Sequence, residues 1–244
     1  MEINKNLHLV LRDIFLYDIK SCHYTILDNL GFDLSHINKD DKKTRNIQIG
    51  QMMRENPRLT SLLRNTTESV IDDYILKNNI HEDEIVIRQY DGMILTRKIE
   101  FTNIKHIPFD LRNVFQIFIT SIDHKKYIGL DNNNEIIIKG IPFRYKAIDD
   151  LYTKICKIAM LGNKSSIFRN LQKLKDDFLN SKDPNIFGIP TKSGKSNVFL
   201  KGYGEMEISE STLKIMDTDD IDKNRYFQFY IQPFTKSIVF EYVR

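Results

Sequence analysis

Two aspartates stand at the ends of apolar segments, where a carboxylate could hold a metal ion. Asp18 closes the segment IFLYD, and Asp91 lies in EIVIRQYDGMILTR, between two runs of alternating apolar residues. Carboxylate oxygens bind Mg²⁺, and two ions about 3.5–4 Å apart can stabilise both the attacking and the leaving oxygen of a phosphoryl transfer. The two aspartates would suit that chemistry if the fold brought the two strand ends together.

Both aspartates also have ordinary structural roles. Asp-Gly between two apolar-alternating runs is a strong hairpin signal, and an Asp at the end of a strand can start a turn or cap a helix. Because 73 positions separate Asp18 from Asp91, spacing alone leaves both interpretations open.

The elements that would position these aspartates mix strands with helices. RDIFLYDIKSCHYTIL predicts a strand that gives way to a helix or turn at Ser21, and a helix is expected from Lys42 through Met53. Asn56-Pro57 predicts the end of that helix. NTTESVIDDYILKNN has apolar residues at helical spacing behind threonines that would cap the helix.

The rest of the chain predicts further hairpins and then helices. After the hairpin around Asp91 come the strand RNVFQIFITSI and a second hairpin with an Asn-rich turn. Two amphipathic helices follow, over about 148–159 and 167–178, then a loop over 183–196, a short strand and a short helix. The aromatic residues near the C-terminus are expected in the core: Tyr226, Phe227, Phe229 and Tyr230. The order predicts an α+β protein with an antiparallel sheet over residues 1–145 and a smaller, mostly helical lobe over 146–244.

Composition limits the classes of protein. The chain has 244 residues, 41% hydrophobic and 28% charged, as is typical of a soluble globular protein with a real core. No run of 18 apolar residues exists, so we expect no membrane span, and the N-terminus lacks the features of a signal peptide. Only two cysteines are present, which favours a reducing, cytoplasmic location without a disulfide framework.

Charge is concentrated in one window. The net charge is only +3, but residues 163–201 hold eight basic residues against three acidic ones. Such a cluster would suit a phosphate backbone, and it would equally suit a solvated helix face followed by a polar loop. Within it, GIPTKSGKS differs from a P-loop, because five residues rather than four separate Gly188 from Gly194 and a strand-like segment follows.

Two segments resemble motifs of family B DNA polymerases. YDIKSCHYTIL resembles the first palm motif, in which an Asp ends a strand, a Ser follows three residues later and an aromatic-Pro-Ser-Ile-Ile stretch opens a helix. Asp18 and Ser21 match in place, while His23 and Tyr24 stand where the family has Tyr and Pro. KKTRNIQIG is similar to the fingers motif Lys-x3-Asn-Ser-x-Tyr-Gly. Its matching residues are Lys42, Asn46 and Gly50, with Ile47 and Ile49 in place of Ser and Tyr.

Three later segments extend the resemblance in the family's order. IRQYDGMI is similar to the motif Tyr-Gly-Asp-Thr-Asp-Ser, with Asp91 on its second Asp and Gln89 in place of the first. Lys125, Lys126 and Tyr127 resemble the Lys-Lys-x-Tyr segment that contacts the primer-template duplex, with one residue missing before the Tyr, and Lys139-Gly140 follows as in the family. IDKNRYFQFYIQPF looks like the late thumb segment.

This resemblance implies a DNA-directed DNA polymerase with a palm over 1–145, fingers reduced to about 28–80, and a thumb over 146–244. Asp18 and Asp91 would be catalytic and would hold two Mg²⁺ or Mn²⁺ ions. The residues that would bind the dNTP are Ser21, His23, Tyr24, Lys42, Arg45 and Asn46. The residues that would bind primer-template DNA are Lys125, Lys126, Tyr127, Lys139, Lys164, Arg169 and Lys173. A viral or phage-encoded enzyme in a host cell would fit.

Departures from the family keep other functions open. With 17 residues before Asp18, no proofreading exonuclease is expected, and the 24 positions from Asp18 to Lys42 require very short fingers. We favour a split polymerase with a separate polymerase or exonuclease subunit over a minimal palm-thumb enzyme. A reverse transcriptase-like palm would need an Asp at position 92, where Gly stands. Gln89 is the best argument for a non-catalytic nucleic-acid-binding or scaffold protein.

Overall fold

The computed structural model describes residues 2–4, 7–100, 104, 106–141 and 146–243. The chain divides into two compact units. Unit 1 comprises residues 1–7 and 13–114, and unit 2 comprises residues 8–12 and 115–244. The boundary expected near residue 145 falls inside unit 2, and the palm and thumb labels stay predictions. The fold is α+β with a mostly antiparallel sheet and helices, as the sequence predicts.

Unit 1 packs three helices with a sheet. Its elements are β1 (Glu2–Ile3), β2 (Val10–Ile19), α1 (Cys22–Asn29), α2 (Lys42–Glu55), α3 (Pro57–Lys77), β3 (Ile85–Arg88), β4 (Gly92–Leu95) and the first half of β5 (Phe109–Thr120). The strand order is β1-β3-β4-β2-β5, with the first three neighbouring pairs antiparallel. The strand ending at Asp18-Ile19, the hairpin around Asp91 and the helix from Lys42 are therefore confirmed.

The core of unit 1 forms where α3 contacts α1, α2 and the sheet. Tyr74 of α3 stacks on Phe109 of β5 at 4.7 Å between ring centroids, and Tyr17 of β2 stacks on the same Phe109 at 6.0 Å. Leu63, Val70 and Ile71, apolar residues of α3 at helical spacing, are buried in this core, and Ile75 packs against it partly buried.

The threonine cap predicted for the third helix is wrong. Helix α3 begins at Pro57, ten residues before the buried Thr67, and its N-cap is Asn56, whose side chain accepts hydrogen bonds from the backbone N–H groups of Arg58 and Leu59. Asn56-Pro57 does stop α2 as expected. The same two residues also start α3, because proline is well tolerated in the first turn of a helix.

Unit 2 contains two sheets and the remaining helices. The end of β5 pairs with β6 (Tyr127–Asp131), which pairs with β7 (Ile136–Lys139), both antiparallel. Helices α4 (Lys146–Ala159) and α5 (Lys164–Leu179) follow, and then β8 (Ile189–Pro190), β9 (Ser196–Leu200) and β10 (Gly204–Ile208) form an antiparallel sheet. The chain continues through α6 (Glu210–Ile215), α7 (Lys223–Tyr226), a π-helical turn (Phe227–Ile231) and α8 (Gln232–Val243).

The strand after GIPTKSGKS is confirmed, since Ser196 begins β9 rather than a helix.

The C-terminal aromatic residues only partly enter the core. Tyr226 and Phe227 are buried, but the side chain of Phe229 is 51% exposed, because the segment folds as a helix that turns one face to solvent. No helix in the described ranges combines the length and apolar character needed to span a membrane.

Candidate active site

A cleft of about 820 Å³ opens in unit 1 at the ends of β2 and the β3–β4 hairpin, beside α1 and α2. All the residues predicted to be catalytic or nucleotide-binding line it: Asp18, Ser21, His23, Tyr24, Lys42, Arg45, Asn46 and Asp91. Residues up to 73 positions apart in the sequence are thus brought to one place by the fold.

Asp18 and Asp91 are held by two paired strands. Tyr17 and Ile19 are buried on one face of β2, so the alternation of a strand turns Asp18 to the other face. Asp18 is the register partner of Gly92 in β4, and the N–H of Ile19 donates to the carbonyl of Asp91 at 2.8 Å. The two aspartates are therefore neighbours across the sheet.

Gly92 permits this close pairing. A Cβ atom added to Gly92 would lie 2.2 Å from the carbonyl oxygen of Tyr17 and 3.0 Å from the Cα of Asp18. Any side chain at position 92 would push β2 and β4 apart. An aspartate at this position, as a reverse transcriptase-like palm requires, does not fit this backbone.

The carboxylate of Asp18 forms an ion pair with Arg112 of β5, which also lines the cleft. Burial raises the pKa of Asp18 above its usual value, Arg112 opposes that shift, and the negative charges of Asp91 and Asp110 add to it. By contrast, the side chain of Asp91 makes no hydrogen bond or ion pair with any residue in the described ranges.

Arg112 and Asp110 were not among the residues predicted from the sequence. They lie two positions apart on β5 and therefore on one face of that strand. The signal that could have found them is a pair of alternating charges, Asp-x-Arg, at the start of an otherwise apolar strand. Their proximity to Asp18 depends on which strand lies beside β5, which the local sequence does not reveal.

Helix α2 presents its polar face to the cleft. Lys42, Asn46 and Gly50 follow at intervals of four residues, so they lie along one side of the helix. Lys42 is exposed and forms no ion pair with a described residue, whereas the largely buried Arg45 donates to the carbonyl of Lys39 at 2.7 Å. Lys42 is therefore the cation on this face that remains available to a ligand.

The first turn of α1 forms another part of the wall. Ser21 precedes the helix with φ +52°, in the left-handed region, and its hydroxyl does not cap the helix. The His23 ring meets Tyr90 edge-on at 5.8 Å, and burial lowers the pKa of His23, which favours the neutral imidazole. Cys22 is buried beside Thr67, and burial raises the pKa of its thiol to about 12, so it is a poor nucleophile.

The charge of the cleft suits a polyanion. Four basic residues line it, with two acidic ones: Lys20, Lys42, Arg45 and Arg112 against Asp18 and Asp91. Basic side chains bind phosphate oxygens through charge-assisted hydrogen bonds. The cleft thus combines an excess of positive charge with a pair of carboxylates, as a site for a metal-bound triphosphate requires.

The donor atoms fit one divalent ion better than two. Mg²⁺ needs only one or two protein carboxylates when substrate phosphates supply other oxygens, and Asp91 offers a carboxylate without a partner in the described structure. The negative charge of Asp18, however, is already neutralised by its ion pair with Arg112. Across the described residues, no group of three or more His, Cys, Asp or Glu side chains could hold a metal ion.

The residues predicted to bind DNA lie in unit 2. Lys125 and Lys126 precede β6, and Lys139 pairs with Tyr127 across the β6–β7 hairpin, so these three lysines share one end of it. A Cβ on Gly140 would lie 2.3 Å from the carbonyl oxygen of Lys125. The segment after β7 therefore packs closely on the segment before β6. Lys164, Arg169 and Lys173 are exposed on α5.

Tyr127 is the exception among these predicted DNA-binding residues. Its side chain is 1% exposed, and its ring packs on Phe118 at 4.8 Å between centroids. A ring in this position belongs to the core of unit 2 and does not present itself to a duplex. The hairpin predicted from the Asn-rich turn is confirmed, while the buried ring of Tyr127 does not suit the duplex contact that the resemblance implies.

The fold has a counterpart among DNA polymerases. The chain is similar to the structure of the family B DNA polymerase from the hyperthermophilic archaeon Pyrobaculum calidifontis, with a TM-score of 0.52 and 9% sequence identity. The match covers 98% of this chain and 46% of the polymerase, so the chain spans about half the length of that enzyme. At this identity the likeness is one of fold.

The sequence also identifies a family. Residues 3–230 match the family described as Bacteriophage PBS1 gene 130 protein, and the chain belongs to that family. No protein with a curated description matches the chain.

Proposed function

We propose that this chain is the palm and thumb part of a DNA-directed DNA polymerase. The observation that carries the proposal is the convergence on one cleft of unit 1 of eight residues, drawn from three segments that resemble family B motifs in their order. A polymerase-like fold over nearly the whole chain supports it.

Each part of the cleft has a task in this proposal. Asp91, with Asp18 beside it, would hold a magnesium ion, which would supply positive charge against the charge that develops in nucleotidyl transfer. Lys42 binds the phosphates of the incoming dNTP, and Tyr24 or His23 packs under its sugar. Catalysis of this kind is mainly positioning and charge stabilisation, so side chains held by paired strands and helix ends are suited to it.

Unit 2 supplies the duplex contacts in this proposal. Lys125, Lys126 and Lys139 on the β6–β7 hairpin and the exposed cations of α5 bind the backbone of the primer-template. The proposal includes a separate polymerase or exonuclease subunit as a partner of this chain, which spans 46% of the polymerase that it resembles.

Primer extension tests the proposal. The chain, alone and together with the product of a neighbouring gene, is given a primed DNA template, dNTPs and Mg²⁺ or Mn²⁺. We expect extension by the wild type and its loss in Asp91→Asn. The matched control is Asp83→Asn, because Asp83 is an exposed aspartate of the same unit outside the cleft. Equal extension by Asp91→Asn and the wild type would contradict the assignment.

A non-catalytic DNA-binding role is the second candidate. The ion pair between Arg112 and Asp18 favours it, because a protein that binds no ion would still have to neutralise a half-buried carboxylate. In that case both the wild type and Asp91→Asn would bind primed DNA equally well, and neither would extend the primer.

A further inference from the structure

Arg112 places a fixed positive charge at one of the two carboxylates of the cleft. Its guanidinium pairs with Asp18, and each of the two side chains is 36% exposed. The carboxylate of Asp91 has no such partner within the described structure. The two aspartates that the sequence motifs make equivalent are therefore unequal in the folded chain.

This difference between Asp18 and Asp91 affects where a metal cation can bind. A guanidinium stays charged at any pH at which the protein is folded, and it occupies carboxylate oxygen positions that a metal ion would need. A second cation at Asp18 would lose much of the attraction of that carboxylate and would be repelled by Arg112. At Asp91, by contrast, no cation among the described residues forms an ion pair with the carboxylate, so its oxygens are not already occupied by a positive group.

We infer that the cleft takes one divalent ion, at Asp91, and that Arg112 supplies the second positive charge at Asp18. The inference rests on the proposed function, because it takes the cleft to be an ion and nucleotide site. It replaces the two ions expected from the family resemblance with one ion and one guanidinium. Arg112 is in this sense a positioning residue, because it acts through the carboxylate of Asp18 that it pairs with.

Counting bound ions tests the inference without turnover. Mn²⁺ is titrated into the intact chain, and free Mn²⁺ is followed by electron paramagnetic resonance. We expect one ion for the wild type, two for Arg112→Gln, and one for Arg112→Lys, which keeps a cation beside Asp18. Affinity for the second ion should rise at least tenfold in Arg112→Gln.

The matched control is Arg88→Gln. Arg88 also pairs with an aspartate of unit 1, Asp72, but neither residue lines the cleft, so the count should stay at one ion. Circular dichroism checks that each variant is folded. Two ions on the wild type, or one ion on a folded Arg112→Gln, would overturn the inference. Primer extension is scored separately, so two ions on an active wild type would leave the proposed polymerase standing.

Discussion

The hydrogen that Gly92 carries in place of a side chain faces the backbone of β2. A methyl group there would lie 2.2 Å from the carbonyl oxygen of Tyr17. We therefore expect Gly92→Ala to destabilise the protein by about 1–3 kcal/mol or more, the usual cost of overpacking, because backbone must move to relieve the contact. Urea unfolding measures the loss as a lower midpoint.

Gly50 provides the control for this substitution. It lies inside α2, where a Cβ would meet nothing within 4 Å. Gly50→Ala should raise stability by about 0.5–1 kcal/mol, since alanine loses less conformational freedom in a helix. If Gly92→Ala unfolds at the same urea concentration as the wild type, the close approach of β2 and β4 at Asp18 is wrong.

Lys42 carries the nucleotide-binding prediction at the same scale. Lys42 lines the cleft and forms no ion pair with a described residue, so its ammonium is available to pair with a phosphate. Loss of a charge-assisted hydrogen bond costs about 1.5–3 kcal/mol, so Lys42→Ala should weaken dATP binding by roughly 10–100-fold. Isothermal titration calorimetry with dATP and Mg²⁺ would measure this.

Lys43 is the matched control for Lys42. It is the next residue of α2 and is also exposed, but it does not line the cleft. Lys43→Ala removes the same charge as Lys42→Ala. It should leave the affinity for dATP within about twofold, because Lys43 does not line the cleft. Equal weakening by both variants would mean that the nucleotide responds to general charge, and Lys42 would lose its assigned role.

At the scale of elements, the junction between α2 and α3 is one residue long. Asn56 ends α2 and caps α3 with hydrogen bonds to the N–H groups of Arg58 and Leu59. Asn56→Ala should cost about 0.5–2 kcal/mol in unfolding free energy, the range for N-caps. Asn65→Ala, an exposed site inside α3, should be neutral or slightly stabilising. Equal effects of the two variants in urea would refute the cap.

Much of this architecture follows from local pattern, and the exceptions have a physical cause. The hairpin around Asp91 and the helices α4 and α5 were predictable because turn chemistry and apolar spacing act over a few residues. The sequence misplaces the start of α3, because a proline that ends one helix is also well tolerated in the first turn of the next. Arg112 was missed because its pairing with Asp18 depends on strands 94 positions apart.

At the scale of the whole molecule, charge is distributed unevenly. The net charge is +3, but residues 163–201 hold five more basic than acidic residues. Part of this positive charge is paired in the folded chain. Lys182 pairs with Asp219 at 2.9 Å, and Lys195 pairs with Glu207 at 3.1 Å. Arg169 and Lys173 on α5 form no ion pair with a described residue, so they remain available to a phosphate backbone.

These two residues carry the DNA-binding prediction. Each phosphate contact contributes about −0.9 to the slope of log K against log salt for duplex DNA. Arg169→Gln with Lys173→Gln should therefore make that slope less steep by about 1.8, and should weaken binding at low salt. Fluorescence anisotropy with a labelled duplex, repeated from low to moderate NaCl, measures both quantities.

The control asks whether position matters or only charge. Lys182→Gln with Lys195→Gln removes the same two charges from the same window, but from lysines whose charges already pair with carboxylates. Their removal should change the slope little, because a paired lysine neutralises no phosphate unless it first gives up its partner. If both double variants change the slope equally, DNA responds to the summed charge of the window. Helix α5 would then not be the surface that contacts the duplex.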